Sequence, residues 1–219
     1  MSLETPQKLP VSVQSFKVVR EQDYKYVDKT HKMYALAHDQ SNMIFLSRPR
    51  RFGKSMMLST LEEYFKGNHE LFRGLAADQL EPPESEGGWK EHIVFHFDFA
   101  SGVFQNNGIN ELHDNINNTF SDVVRKHNLE LPKIHSLTAK FQNLINQAAE
   151  KSGLPVVILF DEYDQPLNQN LMDYDKLQPL RNEMRAFFSI LKTASENIRF
   201  AMLTGVTKFS GVTLFSGVN

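Results

Sequence analysis

The sequence predicts an α/β fold of three layers: a mainly parallel sheet with helices on both faces. Two observations carry this. Short apolar runs alternate along the chain with segments whose apolar residues recur at helical spacing. The clearest of the runs, Val156–Phe160 (VVILF), is apolar without interruption, as a strand becomes when both of its faces are covered.

In order, Asn42–Ser47 (NMIFLS) reads as a buried strand ending in a turn. After Gly53, the positions Met57, Leu58, Leu61, Tyr64 and Phe65 mark a helix that Gly67 stops. Glu81–Gly88 (EPPESEGG) is a surface loop, too short for a domain linker. His92–Phe99 (HIVFHFDF) is a second strand. Ile109, Leu112, Ile116, Phe120 and Val123 lie on one helix face, and Leu137, Phe141, Leu144, Ile145 and Ala148 on another that Ser152-Gly153 closes. Val156–Phe160 follows Pro155. Leu177, Leu180, Met184, Phe187, Phe188 and Leu191 form a further helix face, and Arg199–Thr204 (RFAMLT) is the fourth strand.

Composition narrows the function classes. Of 219 residues, 41% are hydrophobic and 23% charged, with 17 Phe for a core, so disordered and collagen-like chains are excluded. No apolar stretch reaches the ~20 residues that span a bilayer, and the start lacks a basic-then-apolar secretory pattern. There is no Cys, hence no disulfide, thiolate metal site or Cys nucleophile. The expectation is a cytoplasmic protein without membrane partners. A net charge of -2 argues against binding nucleic acid by bulk charge.

In parallel α/β sheets ligands bind at the carboxyl ends of the strands. After the first strand comes Ser47-Arg48-Pro49-Arg50-Arg51-Phe52-Gly53-Lys54-Ser55, whose Gly-Lys-Ser tail opening a helix is the second half of a P-loop. Glycine lets backbone approach a phosphate, and helix-start amides and the helix dipole favour an anion there. Lys54 suits the β- and γ-phosphates, and the Ser55 hydroxyl suits Mg²⁺. Arg50, Arg51, Phe52, Gly53, Lys54, Ser55 and Met56 form the candidate nucleotide-binding run. The general motif wants Gly where Arg48 stands, and Pro49 removes an amide, so the loop enters differently. Arg50 and Arg51 fit triphosphate, a nucleic-acid or partner contact, or a solvated basic loop.

The best strand delivers Asp161-Glu162, a Walker B arrangement. Asp161 would hold Mg²⁺, mostly through water, and Glu162 would polarise the attacking water as general base. Thr204, ending the fourth strand, fits either a hydrogen bond to that water or the γ-phosphate, or a capping role. Asp98 fits a supporting site role or a strand-end turn. Arg181 and Arg185 fit an Arg finger or, better, surface ion pairs. The eight His residues show no metal-ligand spacing.

Leu9-Pro10, Tyr24–Thr30 (YKYVDKT), Leu46–Ser55 (LSRPRRFGKS), Leu71–Leu75, His96–Ala100 (HFDFA), Phe160–Asp164 (FDEYD), Leu203–Val206 and Leu214–Asn219 together resemble the predicted AAA-ATPase-like family of bacterial P-loop proteins. The resemblance covers almost the whole chain, and the SRPRRFGKS loop is its most specific part. It implies the P-loop ATPase branch with an additional catalytic Glu and a sheet order of 5-1-4-3-2. It carries Lys54 and Ser55 over as phosphate and Mg²⁺ ligands, Asp161 as Walker B acid and Glu162 as catalytic base. It also implies a longer natural chain, usually with a C-terminal domain resembling PD-(D/E)XK nucleases.

The expectation is therefore one P-loop ATPase domain over residues 1–219, with an N-terminal segment 1–41 and a nucleotide-binding core 42–219. It would be truncated before the last strand, since Thr213–Asn219 is too short for a helix and a strand. The Met1-Ser2-Leu3 start reads as a tag remnant. The expected cofactors are ATP and Mg²⁺; no Asn-Lys-x-Asp guanine signature is present. The expected function is ATP hydrolysis driving a conformational change in a larger protein. The alternatives are a nucleotide-gated interaction module without turnover and a nucleic-acid-binding module. Expected partners are a nucleotide, the absent C-terminal domain and a second copy of the chain, with nucleic acid only through the full-length protein.

Overall fold

A computed structural model describes residues 7–207. They fall into two compact units that interleave along the chain. One takes the residues up to Gln40 together with Gly53–Glu91; the other takes Ser41–Phe52 together with His92 onward.

The first unit is helical, with α1 (Phe16–Glu21), α2 (Thr30–Ala37), α3 (Lys54–Phe65) and α4 (Ala76–Leu80). Residues 53–91 join the N-terminal segment because α1 and α2 pack on α3 and α2 packs on α4. Aromatic rings fill the centre: Phe16 lies 4.9 Å from Phe72, and Tyr64 meets Trp89 edge-on at 5.5 Å. Polar ties fix the ends. The Phe16 amide donates to Ser59 Oγ at 2.9 Å, and the Arg20 guanidinium donates to the carbonyls of Leu71 and Arg73 at 2.7 and 2.8 Å.

One carboxylate in this unit serves two helix starts. Asp28 Oδ1 accepts the Thr30 amide at 2.8 Å and the Thr30 hydroxyl at 2.7 Å, while Oδ2 accepts the Ala76 amide at 2.7 Å. Thr30 Oγ1 in turn accepts the Ala77 amide at 2.9 Å. The orphan amides at the starts of α2 and α4 are thus satisfied by residues of the YVDKT segment.

The second unit is α/β. It holds β1 (Met43–Ser47), β2 (Val94–Asp98), α5 (Phe104–His127), α6 (Leu137–Ser152), β3 (Val156–Asp161), α7 (Gln165–Asn168), α8 (Tyr174–Phe188), α9 (Ile190–Thr193) and β4 (Ile198–Gly205). The four strands form one parallel sheet in the order β1-β4-β3-β2. A fifth strand is not among the described residues, and Thr213–Asn219 lie outside them.

Each helix has a local cause. In α6, Ser136 caps the start by accepting the Ala139 amide, and Gly153 ends it in the left-handed conformation at φ 68. In α5, the dihedrals break at Gly108 (φ 41, ψ -101), a conformation open to glycine, so regular helix begins where Ile109 opens the apolar face. Arg125, Lys126 and His127 occupy its last turn, where cations complement the helix dipole. The helix expected over 177–191 is two helices that meet at Ser189.

Phe95 and Phe97 on β2, Phe160 on β3, Phe141 on α6 and Phe187 on α8 are all at most 1% exposed and pack against one another. Phe97 stacks on Phe160 with centroids 4.8 Å apart, and Phe141 stacks on Phe187 at 5.2 Å. All six β3 residues are buried, so each of its five apolar side chains contributes about 1.5–3 kcal/mol by leaving water. That anchors a strand able to carry two acids to its end.

Candidate functional site

Because all four strands run parallel, their carboxyl ends emerge along one edge of the sheet. Ser47 is in register with Gly205, and Asp98 with Asp161. The loop leaving β1 and the acids leaving β3 are therefore separated by the width of β4. The Arg48 amide donates to the Gly205 carbonyl at 3.2 Å, and the Ser47 hydroxyl donates to the Val206 carbonyl at 3.0 Å.

Asp161 is 5% exposed and Thr204 fully buried. The Thr204 hydroxyl donates to Asp161 Oδ1 at 2.5 Å and accepts the Glu162 amide at 3.3 Å. One hydroxyl so fixes the first acid and the backbone of the second. Glu162 is half-buried and sits at φ 48, the left-handed region that a non-glycine residue adopts at a cost.

Asp98 reaches the same edge but is exposed, and its Oδ1 accepts the Ala100 amide at 2.8 Å, the geometry of a strand-end turn. Arg50, Arg51 and Phe52 are exposed, Phe52 by 69%, and Arg51 has φ 67.

The loop passes into the helical unit between Phe52 and Gly53. Gly53 is the N-cap of α3 at φ 78, a conformation that suits glycine for its dihedral, since no atom would meet an added Cβ. It offers no side-chain acceptor to the first-turn amides, and that turn holds no acidic residue. Lys54, Ser55 and Met56 make up this turn; Lys54 is buried and the other two half-buried. A 12-residue helix whose N-cap brings no side-chain acceptor and whose first position is a Lys suits an anion.

Among the described residues no three His, Asp or Glu side chains converge to hold a metal ion. A Mg²⁺ that arrives with a nucleotide needs one or two carboxylates besides phosphate and water, and buried Asp161, with Thr204 bound to only one of its oxygens, fits that need. His92 lies outside β2, its Nδ1 2.7 Å from the Pro155 carbonyl. Arg181 is half-buried, and its Nε has no hydrogen-bond partner among the described residues.

Tyr163 and Asp164 belong to the FDEYD run, in which the sequence assigns roles to Asp161 and Glu162 alone. Asp164 is 1% exposed; its Oδ2 accepts the amides of Val206 at 3.0 Å and Thr207 at 2.6 Å and the Asn168 side-chain amide at 2.9 Å. Tyr163 donates its amide to the Thr204 carbonyl and its hydroxyl to the Thr207 carbonyl, both at 2.9 Å. The signal available was a third acid three residues after Asp161. Farther on, Gln169 brackets the start of α5, accepting the Phe104 amide at 2.7 Å and donating to the Gly102 carbonyl at 2.9 Å.

The family model described as AAA-ATPase-like, predicted AAA-ATPase, matches residues 10–215. A protein described as an uncharacterized protein in the vnfD 5' region of Azotobacter chroococcum mcd 1 is 39% identical over 214 residues. The match takes in 97% of this chain, which spans 40% of that relative's length. No solved structure matches.

Proposed function

We propose that this chain, which belongs to the predicted AAA-ATPase-like family, binds Mg-ATP and hydrolyses it to drive a conformational change in a longer protein. The observation that supports hydrolysis best is the exit of β3. There a buried Asp161, tied by Thr204, is followed by Glu162 on a backbone turned out of the strand.

In this reading the amides of Arg51–Ser55 and the Lys54 ammonium hold the β- and γ-phosphates, with Phe52 and Met56 flanking them and Arg50 and Arg51 as further cations. Ser55 and Asp161 would hold Mg²⁺, which when bound draws charge off the phosphate oxygens. Glu162 accepts the proton of the attacking water. Thr204 keeps Asp161 pointed and pins the amide of the base, a positioning role.

The test is Glu162→Gln. ATP binding should persist while phosphate release falls by roughly 10²–10⁴-fold. Turnover unchanged by the substitution would remove Glu162 from the chemistry. Binding with negligible turnover in both proteins would favour the nucleotide-gated module instead.

The exposed Arg48, Arg50 and Arg51 also favour a second reading, contact with nucleic acid by the longer protein. It predicts affinity that falls steeply with salt and is lost in an Arg50→Ala/Arg51→Ala variant.

A further inference from the structure

Glu162 holds a left-handed backbone that glutamate does not favour by itself. Such a conformation persists where the surroundings over-determine it. On its N-terminal side the strand ends in Asp161, bound to Thr204. On its C-terminal side Tyr163 and Asp164 are bonded four times to residues 204–207: by the Tyr163 amide, the Tyr163 hydroxyl and the two backbone amides on Asp164 Oδ2.

The one charge in this second set is Asp164. It is almost wholly buried and its partners are neutral N–H donors from the segment leaving β4 and from Asn168 on α7. Charge-assisted hydrogen bonds of this kind are the strong ones. Their approach is close: a Cβ on Gly205 would come within 2.7 Å of Asp164 Oδ1 and 2.9 Å of the Tyr163 ring. Nothing in the proposed chemistry uses Asp164, yet it fixes the turn on which the candidate base sits.

We infer that Asp164 is a positioning residue for Glu162, clamping the turn after β3 to the exit of β4 so that the Glu162 carboxylate is held for proton transfer. This deepens the hydrolytic reading and rests on it. The clamp acts on geometry at the reacting end, so its loss lowers kcat and leaves nucleotide affinity in place. Misplacement of a reacting group by about 1 Å costs on the order of 10²-fold in rate.

The test is steady-state ATP hydrolysis by wild type, Glu162→Gln, Asp164→Asn, Asp164→Ala and the Glu162→Gln/Asp164→Asn double variant. Asp164→Asn keeps the shape and one neutral acceptor, and should lower kcat about 10-fold with KM for ATP within about twofold. Asp164→Ala should lower kcat roughly 10²-fold. In the Glu162→Gln background Asp164→Asn should add no further loss, because both substitutions act through one carboxylate.

An equal fractional loss in that background, or a fall of kcat accompanied by a matching rise of KM, would overturn the positioning role and leave a purely structural clamp. Wild-type kcat in Asp164→Asn and Asp164→Ala, beside an impaired Glu162→Gln, would overturn it too. A wild-type rate in Glu162→Gln itself would sink the hydrolytic reading on which the inference rests. Should Asp164→Ala fail to fold, Asp164→Asn alone and in the double variant carries the test.

Discussion

The buried hydroxyl of Thr204 lies 2.5 Å from Oδ1 of Asp161, across the junction of two parallel strands whose paired register ends one residue earlier, at Phe160 and Leu203. Thr204→Val keeps the volume and removes the donor. A buried acid left without its partner costs about 1–3 kcal/mol. The variant should unfold at a lower denaturant midpoint and release phosphate more slowly, whereas Thr204→Ser should retain both properties. Equal behaviour of Val and Ser would mean that the hydroxyl contributes through packing alone.

Lys54 opens α3 as a buried cation. ATP with Mg²⁺ at ~100 times its dissociation constant should stabilise the wild type by about 2.7 kcal/mol, a rise in Tm of roughly 5–10 °C. In Lys54→Met that rise should vanish. GTP and ADP, each with and without Mg²⁺, run alongside in thermal unfolding and report base and phosphate preference. A flat response of the wild type to every nucleotide would dispose of the anion cradle.

Gly205 lacks a side chain where the Asp164 carboxylate and Tyr163 ring press on β4. Gly205→Ala places a methyl group at 2.7 and 2.9 Å from them, so backbone or ring must shift. Overpacking of this kind costs about 1–3 kcal/mol. Calorimetry should show a lowered Tm, and an unchanged Tm would mean that the carboxylate and the ring give way without cost.

Asp28 supplies a pH signature. Burial pushes its carboxyl upward, but the Thr30 hydroxyl and the amides of Thr30 and Ala76 outweigh it and hold it below the ordinary aspartate range. A depressed folded pKa contributes stability that is full above the unfolded value of about 3.9 and fades as pH falls through the folded value. Asp28→Asn should thus be less stable near neutral pH by about 1 kcal/mol, with the gap closing below about pH 4. Denaturant midpoints at the two pH values measure this; a gap indifferent to pH would assign the effect to side-chain shape.

The strands were legible because apolar runs such as Val156–Phe160 carry their own signal, and the acids at the end of β3 stand beside them in sequence. What lay hidden was held by partners far along the chain. Asp164 meets residues 42 and 43 positions away, so its clamp leaves no local pattern. The helices α1, α2, α4 and α7 are 4 to 8 residues long, fewer turns than periodicity needs. Residues 53–91 could not be assigned to the N-terminal unit from their own spacing, because the assignment depends on the packing of α3 with α1 and α2.

The chain crosses between its two units at residues 40–41, 52–53 and 91–92, and the middle crossing divides the segment Ser47–Ser55. Neither unit is a cassette that recombination or a protease can lift out with one cut at each end. A breakpoint between Phe52 and Gly53 would hand three arginines to one hybrid and the lysine to another. Inheritance of this segment is therefore joint: it passes on unbroken only where both units descend together.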